Sequence, residues 1–570
     1  MINRIIGFET ENNIQSPNQQ TILVCIARDL IVLNTENIET VNQTINAIEE
    51  YGGCVIHIFP PRYLMGEFSS KVLFYLQQNG LLNRAYLADE ASTNLMDNEL
   101  PGYLQAIWRQ TKTELQTTST SHPDDSIGSP LIGDIRQTKP AIEGIHPQEL
   151  QASTPGYTQT SEFMAGKIAV GIILPESNGS YDASTENWSE LHKNLVISKI
   201  QNAMNWWANM NPNGHLSFVY DIHPSVPTHY EPISHSTAED DLWINDVFAQ
   251  LGYTKSYFIS NARDYLNAIR NQYHTDWAVV AIVADSYQDA DGLFPDGYFG
   301  YTYVNPGLII MTYDNDGWGI NNMNSVMAHE FAHDFGAADE YCSPGYACCW
   351  GGYDYDGWGN NYSYLYIPNS NCDAGCDKNH NGVCDGNETT PNSGCQNCTS
   401  CVQVSCLMRG GAISDGLDVA SKQQVGIRDS DGDGILDPMD TTLSLTMDQF
   451  PTPTTTNNTG LFHGSVVDYP FPTPNPRKTS VTINTIQSVR VQLDNNPNWT
   501  IISADDGSYD EVQENFTYVT PDLSLGWHTV KIQAVDRSGN LSPVYEYSLD
   551  PTLFDRYFYL PMILNSLNSK

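Results

Sequence analysis

Residues 329–341 read HEFAHDFGAADEY, and this stretch restricts the local fold more tightly than any other part of the chain. His329 and His333 lie four apart, so a helix projects both imidazoles from one face, with Glu330 beside whatever they share. Three positions past His333 stands Gly336, where a helix that ends abruptly needs a residue tolerating positive φ. A chain that turns there can bring the Asp339 carboxylate back toward the imidazoles as a third ligand, with Glu340 as the alternative. Two imidazoles and a carboxylate suit a zinc ion and leave a fourth position open. Zinc lowers the pKa of a bound water toward neutrality, and Glu330 is placed to take that water's proton as it attacks a peptide carbonyl.

The pattern HExxHxxGxxD resembles the extended zinc signature of the metzincin clan of metallopeptidases, in the variant with Asp as third ligand. That clan more often carries His at this position, so Glu340 and Tyr341 stay open as contributors. The resemblance implies a tight turn with a Met beneath the metal. SCLMRGG, residues 405–411, is similar to that turn, with Met408 as the Met and Gly410–Gly411 favouring a turn. It also implies a twisted mixed sheet with the active-site helix packed beneath it, and a strand ahead of that helix that pairs with extended substrate. GLIIMTY, residues 307–313, is the candidate for that role, an internal sheet strand being the other reading. The implied partner is a protein or peptide, cleaved by a monomeric zinc-dependent endopeptidase.

Composition restricts the setting. The 67 acidic and 26 basic residues give a net charge of −41, which argues against nucleic acid or anionic membranes and suits a protein that binds cations. No run of roughly 18 apolar residues occurs, so no membrane span is expected. MINRIIGFETENN lacks the apolar stretch of a secretory leader. Of the 12 cysteines, Cys25 and Cys54 lie near the start and can pair, while the others cluster between Cys342 and Cys406. Such density beside a zinc helix reads as disulfide stapling outside the cell, secreted or at the cell surface. Cys395, Cys398 and Cys401 offer thiolate ligation of a structural zinc as the rival use.

Two Asp/Asn-rich stretches point to a second metal. DKNHNGVCDGNE, residues 377–388, places Asp377, Asn379, Asn381, Asp385 and Glu388 at oxygen-ligand positions of a calcium loop, with Val383 giving its carbonyl and Gly382 the sharp turn. DSDGDGILDPMD, residues 429–440, repeats the arrangement with Asp429, Asp431, Asp433, Asp437 and Asp440, the Ile435 carbonyl and Gly434. Hard oxygens select calcium over zinc. Pro438 and the lack of strong flanking helices make these similar to the calcium loops of thrombospondin type 3 or dockerin-like modules, with a structural role.

The expected fold class is α+β. Residues 1–109 read as a ferredoxin-like α+β unit similar to peptidase propeptides, with strands at 21–27 and from Cys54 and helices at 37–50 and 69–79. A structural or substrate-binding module is the equal alternative. Residues 110–160 are Thr/Ser/Pro/Gln-rich and read as a linker. A metzincin-like catalytic domain spans 161–425, including the Cys-rich calcium-binding insertion, and the second calcium loop spans 426–442. A Thr/Pro-rich linker is expected at 443–479, then a β-sandwich at 480–570. There WHTVKIQAVDRSGNLS resembles bacterial Ig-like or fibronectin III-like modules, which more often space or target an enzyme than perform chemistry. The competing functional reading is a calcium-dependent surface or adhesion protein with a vestigial zinc site. The intact Glu330 argues against it.

Overall fold

The computed structural model describes residues 25–88, 100–116, 135–136, 153–340, 355, 360–369, 405–448, 452–453, 458–494 and 496–553. The chain is a mixed α/β protein with one large mixed sheet and two small antiparallel sheets. The first elements are β1 (Asp29–Leu33), α1 (Ile38–Glu50), β2 (Cys54–Phe59), β3 (Tyr63–Glu67), α2 (Ser70–Gln78) and β4 (Leu82–Tyr86). Both helices begin at a side-chain cap: Asn37 Oδ1 accepts from the Thr40 amide and Ser69 Oγ from the Val72 amide. Cys25 and Cys54 form a disulfide. Of the strand expected at 21–27, residues 21–24 lie outside the described residues and 25–27 carry no strand. Asp29 can occupy a buried strand position because its carboxylate accepts from the amides of Phe68 and Ala88.

Next come α3 (Gly102–Gln116), β5 (Ile135–Arg136), β6 (Lys167–Ser177), α4 (Glu190–Met210), β7 (Ser217–Thr228), α5 (Asp240–Gln250), α6 (Phe258–Tyr273), β8 (Trp277–Ala284), β9 (Gly300–Tyr303), β10 (Leu308–Thr312) and α7 (Gly319–Asp334). The ten strands run in the order β4-β1-β3-β2-β7-β6-β8-β10-β9-β5. From β2 to β10 the pairing is parallel, which requires both faces to be covered. The continuous apolar runs of β6 and β8 meet that need by alternation. Ile168, Val170, Val279 and Ala281 face the cluster that holds α3, α4 and α7, while Ala169, Ile173, Val280 and Ile282 face α1, α2, α5 and α6.

Two features differ from the sequence reading. Residues 1–109 read as a separate unit, yet β2 pairs with β7 through His57↔Phe218 and Ile58↔Val219, so the N-terminal strands extend the sheet that carries α7. The nearly continuous apolar run of β2 supplies two buried faces and makes this possible. The strand at 307–313 does not lie at an edge, because β10 is bonded to β8 on one side and antiparallel to β9 on the other. The internal alternative is the one that holds. The strand beyond it is β9, and its outer side pairs with β5 through Ile135↔Thr302 and Arg136↔Tyr303.

After α7 the described chain resumes with α8 (Leu407–Gly410) and α9 (Val419–Gln424). It then forms β11 (Thr442–Met447), β12 (Thr452–Pro453), β13 (Gly460–Tyr469), β14 (Ile486–Leu493), β15 (Thr500–Ile502), β16 (Gln513–Val519), β17 (His528–Asp536) and β18 (Tyr545–Leu549). One sheet holds β11, β12, β13 and β16, the other β15-β14-β17-β18, and residues of both enter one apolar cluster around Phe462, Val466, Val489, Phe516 and Val530. The stretch 443–479 thus carries strands where its Thr/Pro content suggests a linker. GLFHGSVVDY alternates buried and less buried residues, and that period outweighs the flanking prolines. Among the described residues, no helix is long and apolar enough to cross a membrane.

Candidate metal centre

Helix α7 lies against the sheet beside α4, where the Trp207 indole N–H donates to the Ala328 carbonyl at 3.2 Å. This packing holds the face bearing His329, Glu330 and His333, all three 0% exposed. Each imidazole is fixed from behind by a backbone carbonyl: His329 Nδ1 lies 3.1 Å from Leu407 O, and His333 Nδ1 lies 2.9 Å from Ala337 O. An Nδ1–H donating there turns the Nε2 lone pair inward, the tautomer a metal ligand needs. The helix stops at Phe335, and Gly336 takes φ 95°, where a Cβ would come 2.6 Å from the Tyr362 carbonyl oxygen. Only glycine suits that turn.

The turn returns Asp339 to the imidazoles. Its Oδ1 lies 3.1 Å from His329 Nε2 and 3.3 Å from His333 Nε2, and the two Nε2 atoms are 3.1 Å apart. A tetrahedral zinc with bonds of about 2.0–2.2 Å asks for donor separations of about 3.3–3.6 Å, so a small outward spreading of the three atoms is all that separates this trio from a ligand set. The donor chemistry fits as well, since three lone-pair donors pointed at one another need a positive charge between them. Burial works against charge on His333, but Asp339 outweighs it and raises the imidazole to about 9. Asp339, despite its burial, is held down to about 2 by the same pair of imidazoles. The Asp339 segment is pinned on three sides: Glu340 N donates to Met408 O at 2.9 Å, Ala338 N to Gln424 Oε1 at 3.0 Å, and Asn369 Nδ2 to Asp339 O at 2.8 Å.

Glu330 is held in a different way. Its Oε2 accepts from Thr302 Oγ1 at 2.8 Å, while the buried Oε1 has no hydrogen-bond partner among the described residues. Burial pushes its carboxyl above the ordinary value, with His329 and His333 opposing. Gly300 makes room for it, because a Cβ at that position would lie 3.2 Å from Glu330 Oε1. Strand β9 therefore supplies both the hydroxyl that orients Glu330 and the gap it sits in.

Glu340 does not join the imidazoles. It lies in a second group with Cys406 and Asp418, whose ligand-type atoms fall within 4.8 Å of one another. The buried Cys406 thiol has no disulfide partner among the described residues, and burial, with Glu340 adding to it, pushes its pKa up to about 12. Met408 is fully buried in α8, whose Leu407 carbonyl faces His329. Tyr341 and the whole stretch 377–388, with Asp377, Asn379, Asn381, Val383, Asp385 and Glu388, lie outside the described residues.

In the loop at 429–440, Asp429, Asp431 and Asp433 come together within 4.8 Å. Asp437 turns away, accepting from Ser430 N at 2.7 Å and pairing with Arg428. Asp440 feels Asp433, Asp431 and Asp437 as like charges, which add to burial in raising its carboxyl. Ile435 contributes its amide to Asp433 Oδ1 at 2.8 Å. The sequence reading missed Thr302, Gly300, Leu407, Gln424 and Asn369. No local pattern marks them, since each acts across a tertiary contact.

No protein-family model and no curated protein matches the chain. Solved structures similar to parts of it include the sulfane dehydrogenase from Paracoccus pantotrophus, 14% identical over 19% of this chain and 30% of that one, with a TM-score of 0.15. Another is Astrotactin-2, a vertebrate perforin-like membrane protein, 11% identical over 24% of this chain and 25% of that one, with a TM-score of 0.14. This chain thus spans under a third of either length, and likenesses at these scores carry no argument about fold or function.

Proposed function

We infer that this protein is a zinc-dependent endopeptidase of metzincin type, with His329, His333 and Asp339 as zinc ligands and Glu330 as general base. The observation that carries this is the convergence of three ligand atoms within 3.3 Å beside a buried carboxylate oxygen that has no partner among the described residues. Zinc bound there supplies an acidified water and polarises the scissile carbonyl. Glu330 Oε1 takes the proton of the attacking water and passes it to the departing amine, while Thr302 keeps the other oxygen from rotating away.

An extended peptide binds by adding to the outer side of β9, next to Glu330, where Ile135–Arg136 now pairs. The N-terminal segment and its linker therefore act in the manner of a propeptide. Ile135→Pro, which removes a backbone donor from that pairing, should raise casein cleavage several-fold, and an unchanged rate would refute the propeptide role. The loop at 429–440 and the stretch 377–388 hold structural calcium, the terminal sheets form an Ig-like spacing module, and the cysteine-rich region is stapled by disulfides outside the cell. Purified protein should carry zinc and degrade casein, and a zinc chelator should abolish the cleavage reversibly. Casein cleavage that survives complete zinc removal would overturn the proposed chemistry.

A further inference from the structure

Where the Asp-rich loop runs into the terminal sheets, two carboxylates are buried with no ion-pair partner among the described residues. Asp468, next to last in β13, and Asp536, last in β17, are both 0% exposed. Asp536 is fully engaged: Oδ2 accepts from Thr441 Oγ1 at 3.0 Å, Asn484 Nδ2 at 3.0 Å and Asn540 Nδ2 at 2.7 Å, and Oδ1 accepts from Asn540 N at 2.8 Å. Asp468 lies against Asp536 and Thr441 and interacts with both, yet among the described residues neither of its oxygens meets a donor in full hydrogen-bonding geometry, the Thr441 hydroxyl being given to Asp536. The ion pairs of this region, Arg428–Asp437, Lys478–Glu162 and Lys531–Glu546, include neither carboxylate. A carboxylate buried with both oxygens bare is the costliest polar state a fold can hold, and a fold that keeps it signals a missing positive partner.

We propose that Asp468 and Asp536, with Thr441 beside them, form a cation site separate from the Asp429–Asp431–Asp433 group, taking a divalent cation of the calcium class. Among the described residues the side chains that act on Asp468 are the Asp536 carboxylate and the Thr441 hydroxyl, both hard oxygen groups, which select calcium over zinc. Thr441 directly follows the Asp-rich loop, β13 belongs to one terminal sheet and β17 to the other. A cation held there ties the loop to both sheets at once. Burial pushes the Asp468 carboxyl up to about 7, with Asp536 adding to the rise and Thr441 opposing it, so the pair attracts a proton when no cation is supplied. Asp440 extends the same negative field toward the loop, since it too senses Asp536.

The test uses the full chain, stripped with a chelator and titrated with calcium alone. Asp468→Asn keeps the volume and removes the charge, and it should bind one calcium fewer than wild type. Asp429→Asn should lose a different calcium, so the two losses add in the double variant. In chelator the Asp468→Asn protein should melt above wild type, and the rise in Tm on adding calcium should shrink. An unchanged calcium count in Asp468→Asn would overturn the proposal and leave a proton shared by the two carboxylates. Should that variant fail to fold, hydrogen exchange on the wild-type protein decides: saturating calcium should slow the Asn540 amide at least about tenfold. An Asn540 amide indifferent to calcium also overturns the proposal.

Discussion

The centre on α7 and the loop at 429–440 both bring acidic side chains together, but they are assembled in opposite ways. In the loop, Asp429 accepts from the amides of Gly432 and Gly434, Asp431 from Asp433 N, and Asp433 from Ile435 N, all within a few residues. Its carboxylates are largely exposed and their geometry is local. In the centre, His329 is held by Leu407, Glu330 by Thr302, and the Asp339 segment by Met408, Gln424 and Asn369, none of them close in sequence. The first arrangement can reorganise around an ion at little cost to the rest of the fold. The second is preorganised by the whole fold, which is what catalysis requires of its polar groups.

This contrast is sharpest at the third ligand. Asp339→Asn should weaken zinc binding by at least about a hundredfold, whereas Glu340→Gln should change it by less than about threefold, measured by competition with a chromogenic chelator. The reverse order would put Glu340 in the centre. A smaller effect is expected at Thr302→Val, which keeps the strand but removes the hydroxyl that holds Glu330. Its kcat should fall about tenfold with zinc content and KM unchanged, and a loss of zinc would instead mark Thr302 as part of the metal support. Smallest of all is the loop. Asp431→Asn should lower Tm by no more than about 3 °C in calcium and leave zinc content and cleavage alone. A loss of cleavage there would mean that the two regions are coupled.

The same contrast governs what the sequence disclosed. The trio Asp429, Asp431 and Asp433 is legible because its geometry is a matter of spacing, and so are His329, Glu330 and His333, because helical period sets their face. Gly336 is legible through the turn it permits. Strand β2 is legible from its apolar run and helix α1 from its helical period. The four-residue β9 is too short to carry a period, so its neighbour β10 stands out as the conspicuous strand ahead of the helix although it is internal. Thr302 and Gln424 are invisible because nothing near them in sequence needs them. Asp437 departs from the loop pattern because Arg428, one residue before the loop, takes its carboxylate. Composition also misleads at 443–479, where prolines flank β13 without interrupting it.

The account depends on Glu330 acting as a base beside a metal it does not ligate. Glu330→Gln is nearly isosteric and should still accept from Thr302, so zinc content per chain should equal that of wild type. Cleavage of casein by the same zinc-loaded protein should fall by about 10²–10⁴-fold. Cleavage at the wild-type rate by zinc-replete Glu330→Gln would contradict the central claim.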